Sequence, residues 1–136
     1  MANELVFRLR RSLAIPGMQL GLRAQELLAD SNVGFQKIIP ALSTDAEIDL
    51  VVNVMDVVVI GIEADQDCTV KINSTTPAPE DTFLITANIP LIWTSGDPIA
   101  TQFIVNDVTK LFVTTGGTDT LLKLMIGLDA TPVLGP

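Results

Sequence analysis

Closely spaced carboxylates are the first place to look for chemistry in this chain. Glu63-x-Asp65-x-Asp67 gathers three of them at one turn, and Asp45-x-Glu47-x-Asp49 sets three more at alternate positions. Hard oxygen ligands of this kind suit Ca²⁺, which needs no histidine. The residues around Asp65 and Asp67 match no EF-hand loop, and Asp is common in solvated turns. The reading of the sequence is therefore no metal and no cofactor. In a strand, Asp45, Glu47 and Asp49 project from one face and leave Ile48 and Leu50 to the other. That pattern fits a solvent-facing strand, an edge strand whose charges discourage unwanted pairing, or a face that meets a basic partner.

Other catalytic equipment is scarce. The 136 residues include no His, no Tyr and one Cys, which removes the side chains most used for acid–base and nucleophilic work near neutral pH. Cys68 has no partner for an intrachain disulfide and no His to activate it, so it reads as a small, partly buried thiol. A glycosidase needs only two carboxylates, but its cleft is usually lined by aromatic sugar platforms. This chain offers Trp93 and five Phe. Trp93, inside Leu91-Ile-Trp-Thr, reads as a core anchor. Gly116-Gly117 precedes no Lys-Ser/Thr and opens no helix, so it reads as a hairpin turn and not a phosphate loop. No catalytic residue is assigned.

The elements that must carry these residues are β-strands. Hydrophobic residues make up 48% of the chain, and Val, Ile and Thr recur as a pleated, half-buried surface prefers. Strands are expected at 47–55, 57–63, 69–73, 82–87, 91–94, 101–105, 110–115 and 120–128, with turns between them. Ser95-Gly-Asp-Pro98 is the strongest turn signal. About eight short strands at this spacing argue for an antiparallel sandwich or barrel. The longest apolar block, Leu50 to Ile62, is broken by Asn53 and Asp56 and is too short for a membrane span. No secretory signal is evident, so a soluble product is expected.

Charge divides the chain. Residues 1–37 carry five bases and three acids, whereas 38–136 carry three bases and thirteen acids. The first segment is thus +2 and the remainder −10, for a net charge of −8. So acidic a body disfavours nucleic acid. The expected organisation is an N-terminal arm over 1–40, a β body over 41–129 and a C-terminal tail over 130–136. Within the arm, Leu5, Phe7 and Leu9 alternate with Arg8 and Arg10 as in a half-buried strand, and Pro16-Gly17 marks a turn. Residues 22–29 are open between strand and helix. Leu5, Phe7, Arg8, Leu9, Arg10 and Arg11 are the candidate partner-binding residues, and a basic arm fits an acidic protein surface.

The second half carries a familiar series: Val70-Lys-Ile-Asn, Asp81-Thr-Phe-Leu-Ile, Ile89-Pro-Leu-Ile-Trp, Asn106-Asp-Val-Thr-Lys-Leu-Phe-Val-Thr and Leu122-Lys-Leu-Met-Ile-Gly-Leu. Over residues 68–128 it resembles small virion structural proteins of tailed bacteriophages, especially head decoration (cement) proteins. The resemblance implies a jelly-roll-like antiparallel β-sandwich with an extended N-terminal arm and no catalytic residues. It further implies synthesis in the host cytoplasm, residence on the capsid surface and contact with the major capsid protein. A homo-oligomer is expected, and a trimer would suit a capsid three-fold axis. Neither nucleic acid nor membrane is an expected partner. The alternatives are a phage neck or tail adaptor and a cell-surface carbohydrate-binding β module.

Overall fold

A computed structural model describes residues 5–10, 13–20, 24–29, 31–97 and 102–129. Twelve strands are placed among them: β1 (Leu5–Arg10), β2 (Leu13–Ile15), β3 (Met18–Leu20), β4 (Ala24–Ala29), β5 (Ser31–Ile39), β6 (Ala46–Val52), β7 (Val57–Ala64), β8 (Cys68–Ile72), β9 (Thr82–Ile85), β10 (Leu91–Thr94), β11 (Val108–Thr115) and β12 (Thr120–Leu128). Two single 3₁₀ turns, Val54–Asp56 and Pro79–Asp81, are the described helical residues.

β5 to β12 form two four-stranded antiparallel sheets, ordered β10-β7-β12-β5 and β6-β11-β8-β9. Counting these strands from one to eight gives the orders 6-3-8-1 and 2-7-4-5, the connectivity of a jelly roll. Among consecutive strands of β5 to β12 only β8 and β9 are paired; every other connection between these eight crosses between the sheets. The fold is all-β.

The core lies between the sheets and follows directly from alternation along the strands. In β12, Thr120, Leu122, Leu124 and Ile126 are buried while Lys123 and Met125 are exposed. Leu111 and Val113 of β11 face Val70 and Ile72 of β8 in register, and all four are buried. Ile60, Ile62, Trp93 and Ile126 complete the layer from the other sheet. Burying each such large side chain contributes about 1.5–3 kcal/mol.

Three sequence expectations change here. β5 lies in the span assigned to the arm, yet it pairs with β12 along its full length, Ser31 opposite Leu128 and Ile39 opposite Thr120. The sandwich therefore begins at Ser31 and not Ala41. Residues 102–105 form no strand: Ile104 is buried in the core from a loop, and the Phe103 ring meets Phe83 edge-on at 5.3 Å. Gly116-Gly117 does not close a hairpin, because β11 and β12 lie in opposite sheets. Instead, the Gly116 carbonyl accepts from Leu42 N–H at 2.7 Å. The sandwich has eight strands, but by gaining β5 and losing 101–105.

Residues 5–29 make a second element. β1 pairs antiparallel with β4, and β2 with β3. Pro16-Gly17 joins the inner pair, with Gly17 at φ +86°, as a type II turn requires of its third residue. The described part of the arm is thus β-hairpin pairing. Of the open stretch 22–29, β4 makes 24–29 a strand, while Leu22 and Arg23 lie outside the described residues.

Candidate interaction surface

The jelly roll has two outer faces, and the hairpin sits on one of them. Phe7 and Leu9 project from the same side of β1. Leu9 is buried and Phe7 half-buried, whereas Val6 and Arg8 on the other side are exposed. The landing point is Gly127 of β12, where an added Cβ would come within 2.7 Å of Phe7 Cε2 and 3.0 Å of Val59 Cγ1. Leu9, Ala29 and Val59 are buried without belonging to the main core cluster. They form a small second core between hairpin and sheet. Glycine is required at 127 because the aromatic ring occupies the space of a side chain.

Beyond that contact the same face opens into a groove. Strand register places Ile92, Gly61, Met125 and Gly34 in one row across all four strands. Two glycines in the row lower the floor, giving a mostly apolar groove of about 580 Å³. A neighbouring hollow of about 450 Å³ lies between the hairpin residues Val6, Phe7 and Arg8 and the sheet residues Asn32 and Met125. The next row is polar, with Lys123 opposite both Glu63 and Gln36. Met125 and Ile38 leave much of their apolar surface in solvent, at 57% and 64% exposure.

The other outer face carries two ion pairs, with Val51 and Leu84 exposed among them at 77% and 71%. Lys71 Nζ donates to Asp45 at 3.1 Å, and Lys110 Nζ donates to Glu47 at 2.9 Å. The hydrogen bond to Glu47 raises the Lys110 pKa, helped by the charges of Glu47 and then Asp49. Glu47 and Asp49 are exposed with Ile48 and Leu50 buried between them, and β6 is an edge strand. Glu47 and Asp49 are therefore solvent-facing on an edge strand, as their alternation implies. Asp45, by contrast, lies before β6 in a bend at φ +52°, half-buried, and is not part of the strand.

The remaining sequence candidates have structural duties. Asp65 accepts from Leu121 N–H at 2.8 Å and Asp67 from Ala87 N–H at 2.7 Å. These carboxylates tie turns to neighbouring strands. Among the described residues, no three His, Cys, Asp or Glu are grouped to hold a metal ion. Cys68 is buried, and burial, with Asp67 and then Asp65 adding to it, pushes its thiol up to about 11; it stays protonated and unreactive at neutral pH. Trp93 is buried in the core, and its Nε1 finds no hydrogen-bond partner among the described residues.

Of the six partner-binding candidates, Leu5, Phe7, Arg8, Leu9 and Arg10 fall in β1. Phe7 and Leu9 are occupied by the protein's own sheet, and Arg8, opposite Glu26 of β4, is exposed; the side chains of Leu5 and Arg10 lie outside those described. Arg11 lies outside the described residues, as does the tail 130–136. Sequence reading missed the groove. Its signal was the glycine spacing in β5, β7 and β12, which becomes informative only once the register is known.

No family model and no curated protein matches this chain. A search of solved structures returned a crystallised protein of unknown function from Acinetobacter sp. ADP1, described as DUF1255. It is 16% identical, covers 91% of this chain and 94% of its own, and has a TM-score of 0.36.

Proposed function

We propose that this protein is a non-enzymatic structural component of a bacteriophage virion, which decorates and stabilises the capsid as a homo-oligomer bound to the major capsid protein. The observation that carries the reading is the asymmetry of the two outer faces. One carries two ion pairs beside exposed Val51 and Leu84 and has no element docked on it among the described residues; the other holds a docked hairpin beside an apolar, glycine-floored groove. A decoration protein needs such a division between a solvent side and an attachment side. Attachment at many equivalent sites makes a modest affinity per copy sufficient. The exposed Arg8 on a hairpin above an acidic body gives the attachment side its own charge character. The resemblance of residues 68–128 to decoration proteins points the same way.

The test is to mix purified protein with undecorated phage heads, pellet them and image the shells by electron microscopy. The proposal expects density at symmetry-related positions on the shell, lost when residues 1–29 are removed from an otherwise folded sandwich. A discrete ring without shells would point to a neck or tail adaptor. Sugar binding by an isolated monomer would point to a carbohydrate-binding module.

A further inference from the structure

The two sheets leave four edges, and three are protected. β9 and β10 have four residues each, and short edges template little pairing. β6 is longer but carries exposed Glu47 and Asp49, and its partner β11 shifts register between Val108 and Lys110. β5 is neither short nor bulged, and its one exposed charge is Lys37. It runs nine residues with no register shift against β12, contains no Pro, and exposes Ser31, Asn32, Gly34, Gln36, Lys37 and Ile38.

Charge identifies what this edge accepts. In a chain of net charge −8, a second copy is repelled from most of the surface. No acidic residue occurs from Ser31 to Thr44, and Lys37 is the one charged residue of β5. Glu80 and Asp81 adjoin β9 and Asp97 follows β10, while the acid flanking β5 is Asp30, and no acid occurs near the other end of that strand to oppose it. β5 is thus the long edge along which two copies meet without opposing carboxylates.

We infer that the β5 edge pairs antiparallel with β5 of a second copy, joining the two β10-β7-β12-β5 sheets across a two-fold axis. This deepens the homo-oligomer part of the proposed function by naming the surface. Full overlap of the two strands places Phe35 on the axis. Each Lys37 then lies opposite Val33, Gln36 opposite Gly34, and Ile38 opposite Asn32. The two Lys37 side chains are separated along the strands, and the exposed Ile38 gains cover from the second copy. Such an interface is isologous, with one patch serving both partners.

The test needs no capsid. Sedimentation velocity of the full chain, at concentrations up to about 1 mM, is expected to show a monomer–dimer equilibrium. Gln36→Asp combined with Ile38→Asp should raise its dissociation constant about tenfold or more while the circular dichroism is unchanged, because it puts four negative charges on the seam, the two at position 36 diagonally adjacent, and removes the apolar cover of Ile38. In a second variant, Asn32→Cys with Ile38→Cys should give disulfide-linked dimers on mild oxidation, and a Val51→Cys, Leu84→Cys control on the other sheet should not. A purely monomeric wild type, a closed trimer, an aspartate variant that dimerises as before, or equal cross-linking by the control would each overturn the inference. None of these results depends on shell binding, so failure of this pairing and failure of the capsid reading are distinguishable.

Discussion

The two outer faces of this sandwich start from the same alternation and end with opposite properties. On the β6-β11-β8-β9 face, Lys71 pairs with Asp45 and Lys110 with Glu47, beside exposed Val51 and Leu84. On the β10-β7-β12-β5 face, the outward positions include Gly34, Gly61 and Gly127, with Met125 and Ile38 exposed beside them. Glycine is a poor strand residue, so its repeated presence on one face has a local cause. At Gly127 that cause is visible: Phe7 fills the space. The comparison teaches that a strand's outward residues record what lies above them, ring, groove or water, as plainly as its inward residues record the core.

The largest test of this contrast lies beneath both faces. Trp93→Ala should destabilise the whole sandwich by about 3–5 kcal/mol in chemical denaturation, since a large core side chain is removed. A small loss would mean that Trp93 is not the anchor its burial indicates. Next, Gly127→Val should cost about 1–3 kcal/mol by overpacking and should release the hairpin, seen as faster proteolysis within residues 5–29 while the sandwich stays intact. Phe7→Ala should release the same segment at a smaller cost of about 1–2 kcal/mol, as befits a half-buried side chain. Combined with Gly127→Val it should add less than its separate effect, because both remove one contact.

A pH effect of smaller size belongs to Cys68. Its folded pKa is raised from the ordinary 9.0 to about 11, so the unfolded chain ionises first as pH rises. The stability this group contributes is whole below about pH 9 and is lost as pH climbs from 9.0 towards 11. Cys68→Ala should flatten that part of the denaturation-midpoint profile; an unchanged slope would assign it to other groups. The smallest effect is expected on the charged face. Lys110→Met removes an exposed ion pair with Glu47 and should leave the melting temperature unchanged within error, because exposed pairs contribute little. A marked drop there would show that the ion-paired face is more than a solvated surface.

Much of this architecture was legible in the residues, and the failures have physical reasons. β10 and β12 fall at the expected bounds, because each is an apolar run set off by clear turn residues, Ser95-Gly-Asp-Pro98 after β10 and Gly116-Gly117 before β12. β5 was missed as part of the body because Ser31 to Ile38 sits at a sheet edge, mostly exposed, and the charge change at residue 37 drew the boundary too late. Residues 101–105 resemble a strand because Phe103 and Ile104 are apolar, but the Ile104 side chain is in the core without its backbone joining a ladder. Gly116-Gly117 marks a sharp change of direction, and no local signal distinguishes a hairpin from a crossing between sheets. The interaction face was only half legible. The alternation of Phe7 and Leu9 with Arg8 announced a strand with a buried side, but what buries it is Gly127, some 120 positions later.

The most direct test of the account is hydrogen exchange of the protein free and bound to undecorated phage heads, read peptide by peptide. The account predicts added protection on the hairpin 5–29 and on β5, β7 and β12, with β6, β8 and β11 exchanging as in the free protein. Protection confined to the ion-paired face, or no change on either, would contradict it.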